Sequence, residues 1–183
     1  LVSSLTRAID ASPNAQGEVK VGQQPGAGWK YSGGGYALLQ LLIEDVTGEP
    51  FAAYMRRAVL DPLGMTRSTY LLPEPWPTNV AEIYGPGGKK AIHYRFTATA
   101  AASLYTSAAD LTRLIAAHRP GPDGAAPGRG VLKPATLAEM RRPHARQFGA
   151  DIWGLGLVLY APNGAGDFIV GHDGNNFPAI NTA

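Results

Sequence analysis

Helical and stranded patterns occupy different parts of this chain, and that separation restricts its fold more than any other feature. From Tyr36 on, Leu38, Leu39, Leu42, Ile43 and Val46 recur on one face of a helical period. Thr47-Gly48 followed by Pro50 is a stop signal, because glycine accepts the left-handed terminal conformation and proline cannot continue the helix. A second helix is predicted from about Phe51 to Leu60, ending at "DPLGM". Ser107, with Asp110 three residues on, fits the start of a third, whose buried face is Leu111, Leu114 and Ile115. A short helix is expected within 133–143, with Pro134 in its first turn. Only towards the end do aliphatic and aromatic residues bunch, in "DIWGLGLVLY" (151–160) and "DFIVGH" (167–172). The turn cluster "APNGAG" between them is short enough to demand an antiparallel pair. Helices first and strands last is an α+β order. Two strands cannot bury a sheet face alone, and a third segment, "FPAINTA", begins at residue 177.

The rest of the chain reads as connections. Residues 1–28 are apolar pieces broken by "ASPNAQG" and "QQPGAG", with room for one short helix. Residues 71–95 are rich in proline and glycine and predict an extended excursion with a turn at Pro86-Gly87-Gly88. "RPGPDGAAPGRG" (119–130) is a loop by composition. There is no internal repeat. We therefore expect one domain over 1–183, with 1–145 mainly helical and 146–183 supplying strands.

Several functions lose support at this level. The sequence has 183 residues, no cysteine and a formal net charge of +2. Thiolate catalysis, disulfides and cysteine metal sites are excluded. The basic pairs Arg56-Arg57, Lys89-Lys90 and Arg141-Arg142 form no block with interleaved aromatics, so nucleic acid is not expected as a partner. No apolar run is long enough to span a membrane. His93, His118, His144 and His172 are far apart and show no H-E-x-x-H spacing, so no metal or other cofactor is expected. "GPGGKK" lacks the P-loop spacing, and no G-x-S-x-G surrounds any serine.

Two dense spots remain. In "WKYSGGGY" (29–36), glycines at a helix start permit close backbone approach and offer free N–H groups. Tyr31 there could serve as a base beside cations. The plainer alternative is that Ser32 caps the helix and Tyr31 is a packing aromatic; serine is a common cap, and spacing alone favours this reading. In "VGHDGNNF" (170–177) a strand ends in His172-Asp173-Gly174, where glycine on a strand edge admits a ligand to the backbone. The alternative is a β-turn, for which Asp-Gly and Asn are ordinary residues.

With their surroundings, these spots resemble the serine β-lactamase-related family, which includes class C β-lactamases, D-alanyl-D-alanine carboxypeptidases and related esterases. The resemblance rests on "PGAGWKYSGGGYALLQLLIEDVTGEPF", "VLDPLGMTRST", "AAASLYTSAADLTRL" and "GHDGNN", and runs from about Pro25 to Ala183. It implies an α+β fold of the β-lactamase/transpeptidase type, here a helical region plus part of an antiparallel sheet, truncated at both ends. It also implies acyl-enzyme chemistry on an ester, amide or β-lactam, with a small-molecule or peptide substrate. Many relatives are exported or periplasmic, which the resemblance carries only as a prior. Oligomeric state is not readable.

Matched residue by residue, Tyr31 falls on the tyrosine of the family's Tyr-x-Asn motif, Ser32 on its middle position and Gly33 where Asn is usual. His172, Asp173 and Gly174 match the His-x-Gly form of the third motif. Tyr31 and His172 are thereby expected to be catalytic, and Ser32, Gly33, Asp173, Gly174 and Asn175 to bind substrate, Asn175 through its backbone N–H. Two departures stand out. None of the five lysines follows a serine by three positions, so the family's Ser-x-x-Lys nucleophile motif is absent. In the family that motif lies well upstream of Tyr-x-Asn, and only 30 residues precede Tyr31 here, so the expectation is that it was cut off rather than mutated. This chain alone is then expected to be inactive and poorly stable. The second departure, Gly33, removes a side-chain amide and leaves open a non-catalytic binding or scaffolding protein.

Overall fold

The computed structural model describes residues 22–91, 96, 98–147, 150–162, 168–176 and 179–182. The expectations for residues 1–21, for His93 and for most of the "APNGAG" turn lie outside these. Helix α1 is Gly33–Thr47. Helix α2 is Phe51–Met55, and its axis continues through a wider π-type turn at Arg56–Leu60. A single 3-10 turn at Pro86–Gly88 interrupts the proline-rich excursion. Helix α3 is Thr99–Ala102, α4 is Ala108–Ala117 and α5 is Pro134–Met140. Among the described residues, no helix is long and apolar enough to cross a membrane.

The strands follow. Strands β1 Ala145–Gln147, β2 Ala150–Trp153, β3 Val158–Pro162 and β4 Phe168–Gly171 form an antiparallel sheet in sequence order. Strands β5 Asp173–Asn176 and β6 Ala179–Thr182 form a separate antiparallel pair. The fold is thus α+β with a small antiparallel sheet, as the resemblance implies. One expected strand is split: "DIWGLGLVLY" becomes β2 and β3, joined by a tight reversal at Gly154-Leu155-Gly156. Gly156 takes φ 74, which an L side chain rarely adopts.

Capping chemistry sets the helix ends. The Ser32 hydroxyl accepts from the Gly35 N–H at 3.0 Å, and Ser107 does the same for Asp110 at 3.2 Å. Gly48, at φ 70, closes α1 by donating to the Glu44 carbonyl.

Helix α1 faces opposite to the periodicity argument. Its buried residues are Ala37 and Gln40, while Leu42 is 56% and Val46 77% exposed. Polar contacts explain the orientation. The Gln40 side-chain oxygen accepts the Ala100 N–H of α3 at 3.0 Å. Glu44 accepts the Phe51 N–H at the start of α2 at 3.0 Å. Each satisfies a helix-terminal N–H that would otherwise lack a partner. The apolar stripe Leu38, Leu39, Leu42 and Val46 therefore lies on the surface.

Two residues, Met65 and Asp110, have the largest fully buried side chains. Asp110 is 0% exposed and is ringed by donors. Its carboxylate accepts from the Arg67 N–H at 2.7 Å, the Ser68 hydroxyl at 2.8 Å and the Arg113 guanidinium at 2.8 Å. Thr106 shares a hydrogen bond of 2.7 Å with Ser68. Burial alone would raise the pKa of this acid; the Ser68, Arg67 and Arg113 interactions together hold it below its ordinary value.

Because the folded carboxylate binds protons less readily than the unfolded one, its stabilisation is complete above the ordinary carboxylate range and is lost as pH falls through it towards the folded value. Asp110→Asn is expected to lower the melting midpoint at neutral pH by roughly 5 °C or more, and to flatten the acid limb of a melting-versus-pH curve followed by circular dichroism. The reversed face of α1 makes a second prediction. Leu60→Ala, in the core, should cost about 2–5 kcal/mol in denaturant melts, whereas Leu42→Gln should change stability by no more than about 0.5 kcal/mol.

Candidate active site

The start of α1 and the end of β4 meet. Tyr31 immediately precedes the Ser32 cap, and His172 occupies the one-residue break between β4 and β5. Their ring centroids are 6.3 Å apart, although 141 positions separate them in sequence. Trp153, the last residue of β2, lies against both, at 6.0 Å from Tyr31 and 5.4 Å from His172. Trp29 stacks on Trp153 with centroids 5.5 Å apart and planes 22° from parallel.

Sheet register brings these rings together. Ala145 pairs with Trp153, Trp153 with Val158, and Val158 with Gly171, so one row crosses the sheet and ends beside His172. The row is anchored to α5. The His144 N–H donates to the Trp153 carbonyl at 2.7 Å, and the Leu155 N–H donates to the Met140 carbonyl at 2.9 Å. Gly154, between them, has no room for a side chain: a β-carbon would sit 2.0 Å from the Met140 oxygen.

The other expected site residues have distinct surroundings. The Ser32 hydroxyl is engaged as the helix cap. Gly33 is the first residue of α1. A β-carbon on Gly33 would meet only Ala101 Cβ at 4.0 Å, and one on Gly35 would meet Ser32 Oγ at 3.6 Å; both are ordinary contacts. Neither has a positive φ, so the glycines are not imposed by the backbone. Asp173, Gly174 and Asn175 lie on β5. The Asp173 carboxylate accepts from the Tyr160 hydroxyl at 2.9 Å, and its backbone oxygen lies 2.6 Å from His172 Nδ1. The hydrogen bond to Asp173, some burial and the nearby negative charge raise the Tyr160 pKa. The Tyr31 ring is 62% exposed. Among the described residues, no cluster of three or more acidic or histidine side chains could hold a metal ion.

The beta-lactamase family model matches residues 12–183. The chain belongs to the beta-lactamase family. Solved structures agree with that membership. SurE is 30% identical, with a TM-score of 0.66, over 86% of this chain and 37% of its own. The octameric penicillin-binding protein homologue from Pyrococcus abyssi is 25% identical, with a TM-score of 0.68, over 95% of this chain and 39% of its own. The D-amino acid amidase from Ochrobactrum anthropi SV3, complexed with L-phenylalanine, is 24% identical, with a TM-score of 0.61, over 84% of this chain and 44% of its own. The chain thus spans well under half the length of these relatives. No curated protein matches it.

Trp29, Trp153, Gly154 and Tyr160 were not among the sequence-predicted site residues. Trp29 opens the segment 29–36, but nothing local marks it as a partner of a tryptophan 124 positions away. Gly154→Ala is expected to cost about 1–3 kcal/mol through the clash with Met140, and to red-shift the tryptophan emission as the Trp29–Trp153 stack opens.

Proposed function

We propose that Tyr31 and His172 belong to an acyl-transfer site of a serine hydrolase, to which this chain contributes neither the serine nor the lysine of the nucleophile motif. The observation that carries this reading is the approach of the two rings to 6.3 Å from opposite ends of the chain, each within its family motif. Catalytic groups must reach one bound substrate, and this spacing allows it.

On this reading a serine, activated by a lysine, attacks the carbonyl of an ester, amide or β-lactam. The new bond joins serine Oγ to the acyl carbon, and the bond from that carbon to the leaving group breaks. The Tyr31 hydroxyl passes the serine proton to the leaving group. His172 binds substrate or steadies the tyrosinate, a role helped by the anchoring of its Nδ1 at the Asp173 carbonyl. The Asn175 N–H, on β5, stabilises the oxyanion. Water then takes the acyl group by the reverse proton path. The SurE complex with D-Leu and the amidase complex with L-phenylalanine support amino-acid-derived acyl donors as the substrate class.

A second reading, a non-catalytic binding or scaffolding protein, is motivated by Gly33, which offers no amide where the motif has one, and by the absence of Ser-x-x-Lys from these 183 residues.

The test uses a longer form of the protein carrying Ser-x-x-Lys ahead of residue 1, with a fluorescent penicillin and a nitrophenyl ester. Covalent labelling or turnover is expected, and Tyr31→Phe should lower kcat about 10²–10⁴-fold. No labelling and no turnover from that form would overturn the reading, as would acyl-enzyme formed by residues 1–183 alone.

A further inference from the structure

Strand β3 carries one residue more than its partner β4 takes up. Leu159 pairs with Val170 and Ala161 with Ile169, so Tyr160 is the extra residue of a bulge. Bulges re-aim a side chain and are frequent beside active sites. Here the re-aimed hydroxyl donates to the Asp173 carboxylate at 2.9 Å. Asp173 belongs to β5, which pairs with β6, so this bond crosses from one sheet to the other. It reaches three positions past Val170, roughly 10 Å along a strand, which takes a long side chain. Tyr160 is 48% exposed, so apolar burial does not account for its placement. The bond to the carboxylate, with some burial and the negative charge, raises the Tyr160 pKa and so keeps the phenol a donor.

We propose that Tyr160 is a positioning residue for His172, acting through Asp173 to fix which ring nitrogen carries the proton. His172 fills the one-residue break between β4 and β5, and Tyr160 ties the far side of that break back to β3. The break so held brings the Asp173 backbone oxygen to 2.6 Å from His172 Nδ1. A carbonyl oxygen only accepts, so Nδ1 carries the hydrogen. Nε2 is then the nitrogen that gains and loses a proton. In the neutral ring Nε2 is an acceptor; once protonated, the ring is a cation still bound through Nδ1. On the function proposed above, the Tyr31 proton moves to Nε2 and leaves a tyrosinate beside that cation. Only this last step rests on that function; the choice of tautomer does not.

The experiment uses the longer form that carries Ser-x-x-Lys, labelled with 15N-histidine, at about pH 8.5, above the ordinary histidine range. Two-bond 1H–15N correlations identify the protonated nitrogen, and His172→Gln assigns the His172 signal. The Nδ1–H tautomer is expected, whereas a free imidazole side chain prefers Nε2–H. Tyr160→Phe keeps the ring and should shift His172 towards Nε2–H. Asp173→Ala should do the same, and the double variant should add nothing further. Asp173→Asn keeps an accepting oxygen and should retain Nδ1–H. Circular dichroism would verify folding, and Tyr160→Phe carries the test by itself if Asp173→Ala does not fold. With a nitrophenyl ester, Tyr160→Phe should lower kcat about fivefold and leave KM within about twofold. A parent Nε2–H tautomer, a tautomer indifferent to Tyr160→Phe, or additive effects of the two substitutions would each overturn the proposal. A Tyr160-dependent Nδ1–H tautomer in a longer form without turnover would leave the positioning role standing and remove the catalytic reading. Turnover with a tautomer indifferent to Tyr160→Phe would do the opposite.

Discussion

The carboxylate of Asp110 is the constraint on which the helical part depends. A charge with no exposure is tolerated only where donors replace water. Here the replacements come from Arg67, Ser68 and Arg113. The Asp110–Arg67 bond spans 43 positions and fixes the segment after "DPLGM" against the first turn of α4. Thr69 and Tyr105 then exchange backbone hydrogen bonds of 2.9 Å in both directions. This explains why "VLDPLGMTRST" and "SAADL" carry so much of the family likeness without any chemistry. Met65 and Asp110, one from each segment, have the largest fully buried side chains in the described structure.

From that clamp the site is reached by two routes. Helix α1 is tied to its neighbours by Gln40 and Glu44, so its first turn, and Tyr31 just before it, take a set position. On the other side, α5 passes its carbonyl at Met140 so close to Gly154 that β2 can run only one way. Trp153 is then presented to Tyr31, and the register across β2, β3 and β4 delivers His172 to the same place. The aromatic cluster is where these routes converge, and each route is polar or steric rather than simply apolar.

That explains which features were legible in the sequence. Caps and stops are local chemistry, so Ser32, Ser107 and Gly48 could be read from three or four residues. The α+β order follows from the change in period. The motif positions of Tyr31 and His172 came from resemblance, and local spacing alone favoured a helix cap and a β-turn. Ser32 is in fact a cap. What failed was what depends on distant partners. The leucines of α1 predicted an inward face, but two polar side chains with donors to satisfy on α2 and α3 turned it outward. "DIWGLGLVLY" read as one strand because its reversal uses two glycines rather than the usual asparagine or proline turn signals. Trp153 carried no mark at all, since its role exists only once sheet and helix have met.

Gly33 gains a physical meaning from this. Glycine is usually demanded by a positive φ or a close approach, and neither applies here. A β-carbon at this position would make only an ordinary contact with Ala101, so the glycine relieves no clash at the backbone. It removes a donor and an acceptor next to Tyr31, a loss of roughly 1.5–3 kcal/mol for a charge-assisted contact unless another group replaces it. On the proposed reading, the group placed to compensate is His172, whose ring is anchored at the Asp173 carbonyl and meets Tyr31 from the far end of the sheet row.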